Sequence, residues 1–241
     1  AVLNDLSPAA TFIAYNYNTP VDVAAFEREA KRILKEVEDE LGWMYETWHP
    51  NGDDLKRVKG RINYTVWSEV FTCPECNRDV NFIESALDTT SYRVRDIFPC
   101  PNCGAELGKR RLERQLSTGF DERLGITVSS LRLAPALIEY EGGRKRFTKS
   151  PDAYDRDVLE QINRLATPPA IPHARLPIEQ MYHGSRLAPK GVRHVHQLFM
   201  NRQKQSLAVL WAKADELVDP RLRAFMRFTV EQTIWGLSLL N

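Results

Sequence analysis

Cys73-Pro74-Glu75-Cys76 and Cys100-Pro101-Asn102-Cys103 read C-x2-C, 23 intervening residues, C-x2-C. Two-residue spacing lets one tight turn aim two thiolates and its own backbone N–H groups at a single ion, and two such knuckles complete a tetrahedral zinc site. Proline after the first cysteine of each pair, and Gly104 after the last, suit those turns. These four are all the cysteines of the chain, so the site is closed, with no position left for a catalytic water. The reading is a structural zinc ribbon holding together a β module too small to fold alone. Disulfides or a redox C-x-x-C are the alternatives, and paired knuckles in a chain without a secretory leader disfavour both.

Outward from the knuckles the texture is β. Ile62, Tyr64 and Val66 alternate with polar residues and lead to Val70 and Phe71. Short β-like stretches follow at Val80 to Ile83, Tyr92 to Phe98 and Ile126 to Leu133. Leu137 to Tyr140 and Arg144 to Phe147 form a hairpin turned by Gly142-Gly143. On the N-terminal side, Ser7 caps and Pro8 starts a short helix that ends before Thr19-Pro20. Asp22 then opens a long amphipathic helix with Phe26, Ile33, Val37, Leu41 and Met44 on one face, running to about Trp48. Ala1 to Leu3 read as the end of a buried strand, which places Asp5 in a strand-to-helix turn; there it caps its own backbone or meets a ligand. On the C-terminal side, a helix from Pro151 to Leu165 precedes the proline-rich TPPAIPHARLP and the basic HGSRLAPKGVRHVH, both irregular. Helices resume over Asn201 to Leu217 and from Asp219-Pro220 onward. The chain opens as though in mid-strand and stops at Asn241 inside a helical pattern, so it reads as an internal stretch of a longer protein.

The expected class is α+β, with helical segments flanking a β-rich zinc-ribbon module. The segments are 1–20, 21–58 (long helix), 59–149 (ribbon and β module), 150–200 (helix and basic loops) and 201–241 (helical pair). No apolar run reaches the roughly 20 residues of a membrane helix and no charged-then-apolar leader is seen, so a cytoplasmic location is expected. The net charge of +1 is unevenly spread: residues 109–149 carry 10 Lys/Arg against 5 Asp/Glu, so positive charge gathers around the ribbon. Lys109, Arg110, Arg111 and Arg114 follow the second knuckle, and Arg144, Lys145, Arg146 and Lys149 lie on the hairpin. Each cluster is a candidate phosphate contact, or else a solvated face. His194 and His196 lack a nearby third ligand, and the five tryptophans read as core. No P-loop, G-x-S-x-G, HExxH or paired catalytic carboxylates occur, so no catalytic residue is assigned.

Three stretches together resemble one family, the bacterial DNA methyltransferases that modify exocyclic amino groups (adenine N6 or cytosine N4) and carry a zinc ribbon in mid-chain. The first is NDLSPAATFIAYNYNTP (residues 4–20), similar to the D-x-S/N-P-x-A…I-A segment after that family's cofactor glycine loop. The second is CPEC…CPNC on its β-rich insert. The third is HQLFMNRQKQSLAVLWAKADEL (residues 196–217) with the helix ending WGLSLLN, similar to the LF-x-x-RQ…L helix pair. The family's glycine loop and its D/N/S-P-P-Y/F/W catalytic motif have no counterpart: no G-x-G occurs, and Pro168-Pro169 has other neighbours. The likeness therefore implies the middle of such an enzyme, with the opening strand and helix a remnant of its doubly wound α/β sheet. It implies a target-recognition role, DNA as partner, and Asp5 accepting hydrogen bonds from the ribose of S-adenosylmethionine. It also implies dependence on the rest of the methyltransferase for methyl transfer to a flipped base. The alternative is a non-enzymatic zinc-ribbon adaptor for nucleic acid or protein.

Overall fold

The computed structural model describes residues 2, 4–49, 58–88, 90–181 and 187–239. In chain order the elements are helices α1 (Pro8–Asn18) and α2 (Val23–Leu41), strands β1 (Glu46–Trp48), β2 (Lys59–Thr72) and β3 (Asp79–Asn81), helix α3 (Phe82–Ala86), and strands β4 (Leu87–Asp88), β5 (Arg93–Val94), β6 (Ile97–Pro99) and β7 (Glu106–Gly108). Strands β8 (Glu113–Arg114), β9 (Leu116–Asp121), β10 (Ile126–Leu131), β11 (Leu133–Gly142) and β12 (Lys145–Lys149) follow, then helices α4 (Ala153–Asn163), α5 (Asn201–Asp215) and α6 (Pro220–Leu237). The described strand pairs are all antiparallel, and helices and strands segregate, which makes the class α+β. Two compact units divide the chain: Ala1–Met44 with Ile162–Leu176 and His194–Asn241, and Tyr45–Gln161 with Pro177–Arg193. Among the described residues no helix is long and apolar enough to cross a membrane.

The first unit is helical. Ser7 Oγ accepts from the Ala10 N–H at 3.4 Å, Asp22 Oδ1 from Ala25 at 3.0 Å, and Asp219 Oδ1 from both Arg221 and Leu222, so α1, α2 and α6 start at the expected caps. Ile33, Ala214, Leu217 and Met226 are buried together with Phe26, Val37 and Leu222 packed against them. The end of α4 and the link that leads into the proline-rich stretch are held by the first turns of α5, which satisfy their carbonyls. Asn201 Nδ2 donates to the Ile162 and Leu165 carbonyls, and Gln205 Nε2 to the Ala166 carbonyl at 2.8 Å. Ile171 then enters a core with Leu207, Ala208 and Val230.

The second unit is built on β2, which is 14 residues long and does two jobs. As far as Glu69 it lies in the sheet β1-β2-β11-β12, over Ile62, Ile138, Tyr140 and Phe147. Its last residues, Val70 to Thr72, pair with β3 and β8 and deliver Cys73 to the metal module. Gly60 leaves room for Tyr140, since a Cβ there would sit 2.3 Å from the Tyr140 ring.

Several expectations need correction. The long helix does not reach Trp48: α2 ends at Leu41, a 3-10 turn spans Gly42–Tyr45, and Glu46–Trp48 pairs with β2, because the alternating Thr47 and Trp48 find strand partners there. Residues 50–57, also placed in that segment, lie outside the described residues. Val80 lies in β3, but Asn81 caps the Glu84 N–H and turns the chain into α3. The hairpin loop is Gly143-Arg144, with positive φ at Gly143, because Gly142 pairs with Lys145. Val2 is in no strand and is 97% exposed, while Ala1 and Leu3 lie outside the described residues. Among the tryptophans, Trp43 and Trp235 are exposed rather than core.

Candidate metal centre

The two knuckles have the same backbone. The Cys73 N–H donates to the Arg78 carbonyl and Asn77 donates back to Cys73; the Cys100 N–H donates to the Ala105 carbonyl and Gly104 donates back to Cys100, all at 2.8–2.9 Å. Each turn closes on a residue with positive φ, Asn77 at 56° and Gly104 at 76°, the two residue types that enter the left-handed region most easily. This geometry brings all four sulfurs within 4.8 Å of one another, with Cys73–Cys103 and Cys76–Cys100 at 3.9 Å. A tetrahedron with metal–sulfur bonds of about 2.3 Å sets its sulfurs about 3.8 Å apart, whereas a disulfide needs about 2.05 Å. All four thiols are free. The donor set therefore fits one tetrahedral ion and is compatible with zinc, with no coordination position left for water.

Electrostatics agree. Burial works against ionising Cys100, yet the Asn102 and Cys103 N–H groups and the neighbouring thiols draw it down to about 6. Cys103 is pushed up to about 12: the Ala105 N–H favours its thiolate, but desolvation and the thiols of Cys100, Cys76 and Cys73 outweigh that donor. Four sulfurs this close cannot all ionise without a cation among them, and a bound metal resolves that conflict.

The centre rests on a buried core of Phe71, Val80, Phe82, Phe98, Leu107 and Leu112. Polar side chains brace it from outside. Asn102 Nδ2 donates to the Asp79 carbonyl at 2.9 Å, Gln115 Nε2 to Asp79 Oδ1 at 2.7 Å, and Arg132 pairs with Asp79 at 2.6 Å. Asn102 lies inside the second knuckle, whereas Asp79, Gln115 and Arg132 carry no motif and sequence reasoning missed them.

The expected phosphate contacts divide. Lys109, Arg110 and Arg111 form an exposed 3-10 turn straight after β7, with Lys109 Nζ 4.3 Å from the Phe82 ring centroid. Arg144, Lys145 and Arg146 are exposed at the hairpin tip. None of these six forms an ion pair with a described carboxylate. Arg114 differs, pairing with Glu69 at 2.9 Å. Lys149 is a correction: its side chain is 8% exposed and lies 2.7 Å from Asp152 and 2.9 Å from Asp155, so it serves the fold rather than a surface. Asp155 in turn accepts from Thr47 Oγ1 at 2.6 Å, a buried network that no local pattern announces. Asp5 is exposed, and its Oδ1 accepts from the Ser7 N–H at 2.8 Å, the self-capping turn weighed above. His194 and His196 have ring centroids 5.9 Å apart and join no metal-ligating group among the described residues.

Comparison with protein-family models, with curated proteins and with solved structures yields no match.

Proposed function

We propose that this chain is the zinc-stabilised, DNA-contacting segment of an S-adenosylmethionine-dependent DNA methyltransferase of the amino-methylating class. The observation that carries the reading is the coexistence, on one β unit, of a four-thiol centre and two exposed cationic loops, Lys109–Arg111 and Arg144–Arg146. The resemblance of the opening stretch and of the RQ-containing helix pair supplies the methyltransferase part. In this reading the cysteines hold zinc as a ribbon, and the zinc contributes folding energy rather than chemistry. The cations contact phosphate and fix the register on the duplex. Asp5 has one carboxylate oxygen committed to its own turn and offers the other to the cofactor ribose. The catalytic loop and glycine loop belong to other sequence, so the chain alone transfers no methyl group.

The test is the salt dependence of duplex binding. Each lost phosphate contact lowers the slope of log K against log salt by about 0.9. Arg110→Ala, Arg111→Ala, Arg144→Ala and Arg146→Ala combined should cut the slope by about three to four; an unchanged slope removes these clusters from the interface. Methylation of DNA by the purified chain without another polypeptide would refute the division of labour. The second reading, a non-enzymatic zinc-ribbon adaptor, is favoured by the β9–β10 ribbon, on which Leu116, Phe120 and Ile126 are all more than half exposed. It predicts that added catalytic segments gain nothing from this chain.

A further inference from the structure

The β9–β10 ribbon has two edges, and the hydrogen bonds at its base fix which way the backbone of each strand points. The Gln115 N–H donates to the Val70 carbonyl and the Gln115 carbonyl accepts from the Arg132 N–H, so both its backbone groups face inward. The register of β9 on β10 runs without a slip from Asp121↔Ile126 to Leu116↔Leu131, and Gln115 opposite Arg132 is its next step. Backbone direction alternates along a strand. Ser117, Gly119 and Asp121 therefore bond β10, whereas Leu116, Thr118 and Phe120 turn their N–H and C=O groups outward. Residues 116–120 are all exposed, and among the described residues no strand pairs with this outer edge. The outer edge of β10 is different. Ser129 lies opposite Thr118 and likewise faces away from its partner strand, and there Gly191 packs so closely that a Cβ would stand 2.1 Å from the Ser129 carbonyl oxygen.

A bare edge is normally blunted by a charge, a proline or a bulge. Leu116-Ser117-Thr118-Gly119-Phe120 has none of these, and its flanks are matched end to end instead. Counted outward from Thr118 in the antiparallel sense, Ser117 meets Gly119, Leu116 meets Phe120, and Arg114 meets Glu122. Leu116 and Phe120 are 54% and 67% exposed and share the face of Thr118. Arg114 bonds Glu69 through Nε, yet its side chain stays 55% exposed, and Glu122 is exposed on the turn after β9. A Cβ on Gly119 would meet nothing within 4 Å, so its own chain gives no steric reason for glycine. Glycine inside a strand often marks a place where another backbone comes close.

We infer that β9 pairs with β9 of a second copy of this chain, antiparallel about a two-fold axis at Thr118, so that two ribbons join into one sheet. The two Thr118 residues exchange their outward backbone bonds, and each Leu116 does so with Phe120 of the other copy. A two-fold axis perpendicular to the sheet keeps like faces together, so each Leu116 also packs beside that Phe120. Arg114 and Glu122 place opposite charges at both ends of the seam. A second copy is selected over a foreign strand because this stretch complements itself in charge and in apolar pairing, which an isologous contact requires. Gly191 covers the other edge of the ribbon, so growth stops at the dimer. Self-pairing goes beyond the nucleic-acid reading and does not depend on it.

The test is sedimentation velocity of the zinc-loaded full chain over a wide concentration range, with residue-resolved amide exchange on the same samples. A seam this short is at the weak end of specific interfaces, so the dimer should dissociate on dilution, with monomer and dimer as the only species. As the dimer forms, exchange should slow at Leu116, Thr118 and Phe120 and change little at Ser117 and Gly119, which already bond β10. Thr118→Pro removes an outward N–H that bonds nothing in the monomer, and Thr118→Lys sets like charges across the axis. Each should weaken dimerisation by about tenfold or more while bound zinc stays at its wild-type level. Should Thr118→Pro lose its zinc, Thr118→Lys, a change at an exposed position, decides. A dimer that survives the substitution, protection that does not alternate, or growth past two copies overturns self-pairing. A chain that stays monomeric at its highest soluble concentration also overturns it, and leaves the bare edge to a foreign strand. The salt slope of duplex binding is read separately, so failure of self-pairing leaves the DNA-contacting function standing.

Discussion

Cys100 and Lys149 show how a single side chain is assigned its work by its neighbours. Replacing Cys100 by Ser should lower bound zinc from one per chain to near none, measured by elemental analysis after gel filtration, with the loss of a folded ribbon. Protons compete with metal for thiolates, so affinity falls as pH falls; release should steepen below pH 6, where Cys100, drawn down to about 6, becomes protonated. Lys149 was the last member of a basic cluster in the sequence, and it is the buried partner of Asp155 in the structure. Removing one member of such a pair strands a charge. Lys149→Ala should therefore cost about 3–5 kcal/mol in denaturant melts and leave the salt slope of DNA binding unchanged, the opposite of Arg146→Ala. The same network holds the Asp152 carboxyl below its ordinary value: burial opposes this, and Lys149 and the Asp155 N–H overcome it. That contribution is complete above the unfolded value of about 4 and is lost as pH falls through the lower folded value.

At the scale of elements, short pieces are held by contacts that arrive from far along the chain. Helix α1 is docked by Arg221, whose guanidinium donates to Asn16 Oδ1 at 2.6 Å, to the Asn16 carbonyl and to the Thr19 carbonyl, while Nε reaches the Pro20 carbonyl at 3.0 Å. These groups sit at the negative end of the helix, where a cation is favoured. Arg221→Ala should cost about 2 kcal/mol and raise amide exchange in Pro8–Asn18 ahead of the rest of the helical unit. The β9–β10 ribbon is two-stranded, and such a ribbon is marginal unless something packs on it. Gly191 supplies that contact: its φ is 77°, and a Cβ would stand 2.1 Å from the Ser129 carbonyl oxygen. Gly191→Ala therefore meets both backbone strain and a backbone clash. It should destabilise by about 2 kcal/mol or more, with exchange rising first along Leu116–Leu131.

For the molecule as a whole, two units with separate cores predict two unfolding events. Chelation of the metal should lower the transition of the β unit and leave the helical transition in place, read as loss of near-ultraviolet signal with most ellipticity at 222 nm retained. One cooperative collapse of both signals on chelation would contradict that independence. Much of this layout was legible. The paired knuckles, the caps Ser7, Asp22 and Asp219, and the alternation from Ile62 to Phe71 are local patterns whose physics completes within a few residues. The end of α2 was not legible, because its apolar periodicity continues through Met44 and only pairing with β2 turns Glu46–Trp48 into a strand.

What the sequence determined by itself is therefore what local chemistry can specify: cap positions, turn residues, the number and spacing of the thiols, and the closed character of the centre they make. Tertiary structure decided which cations remain at the surface and that Asp79, Asn102, Gln115 and Arg132 brace the knuckles. Those outcomes depend on strand register and on partners tens of residues away. Burial and pairing are set where the chain returns on itself, and no short window of sequence contains that return.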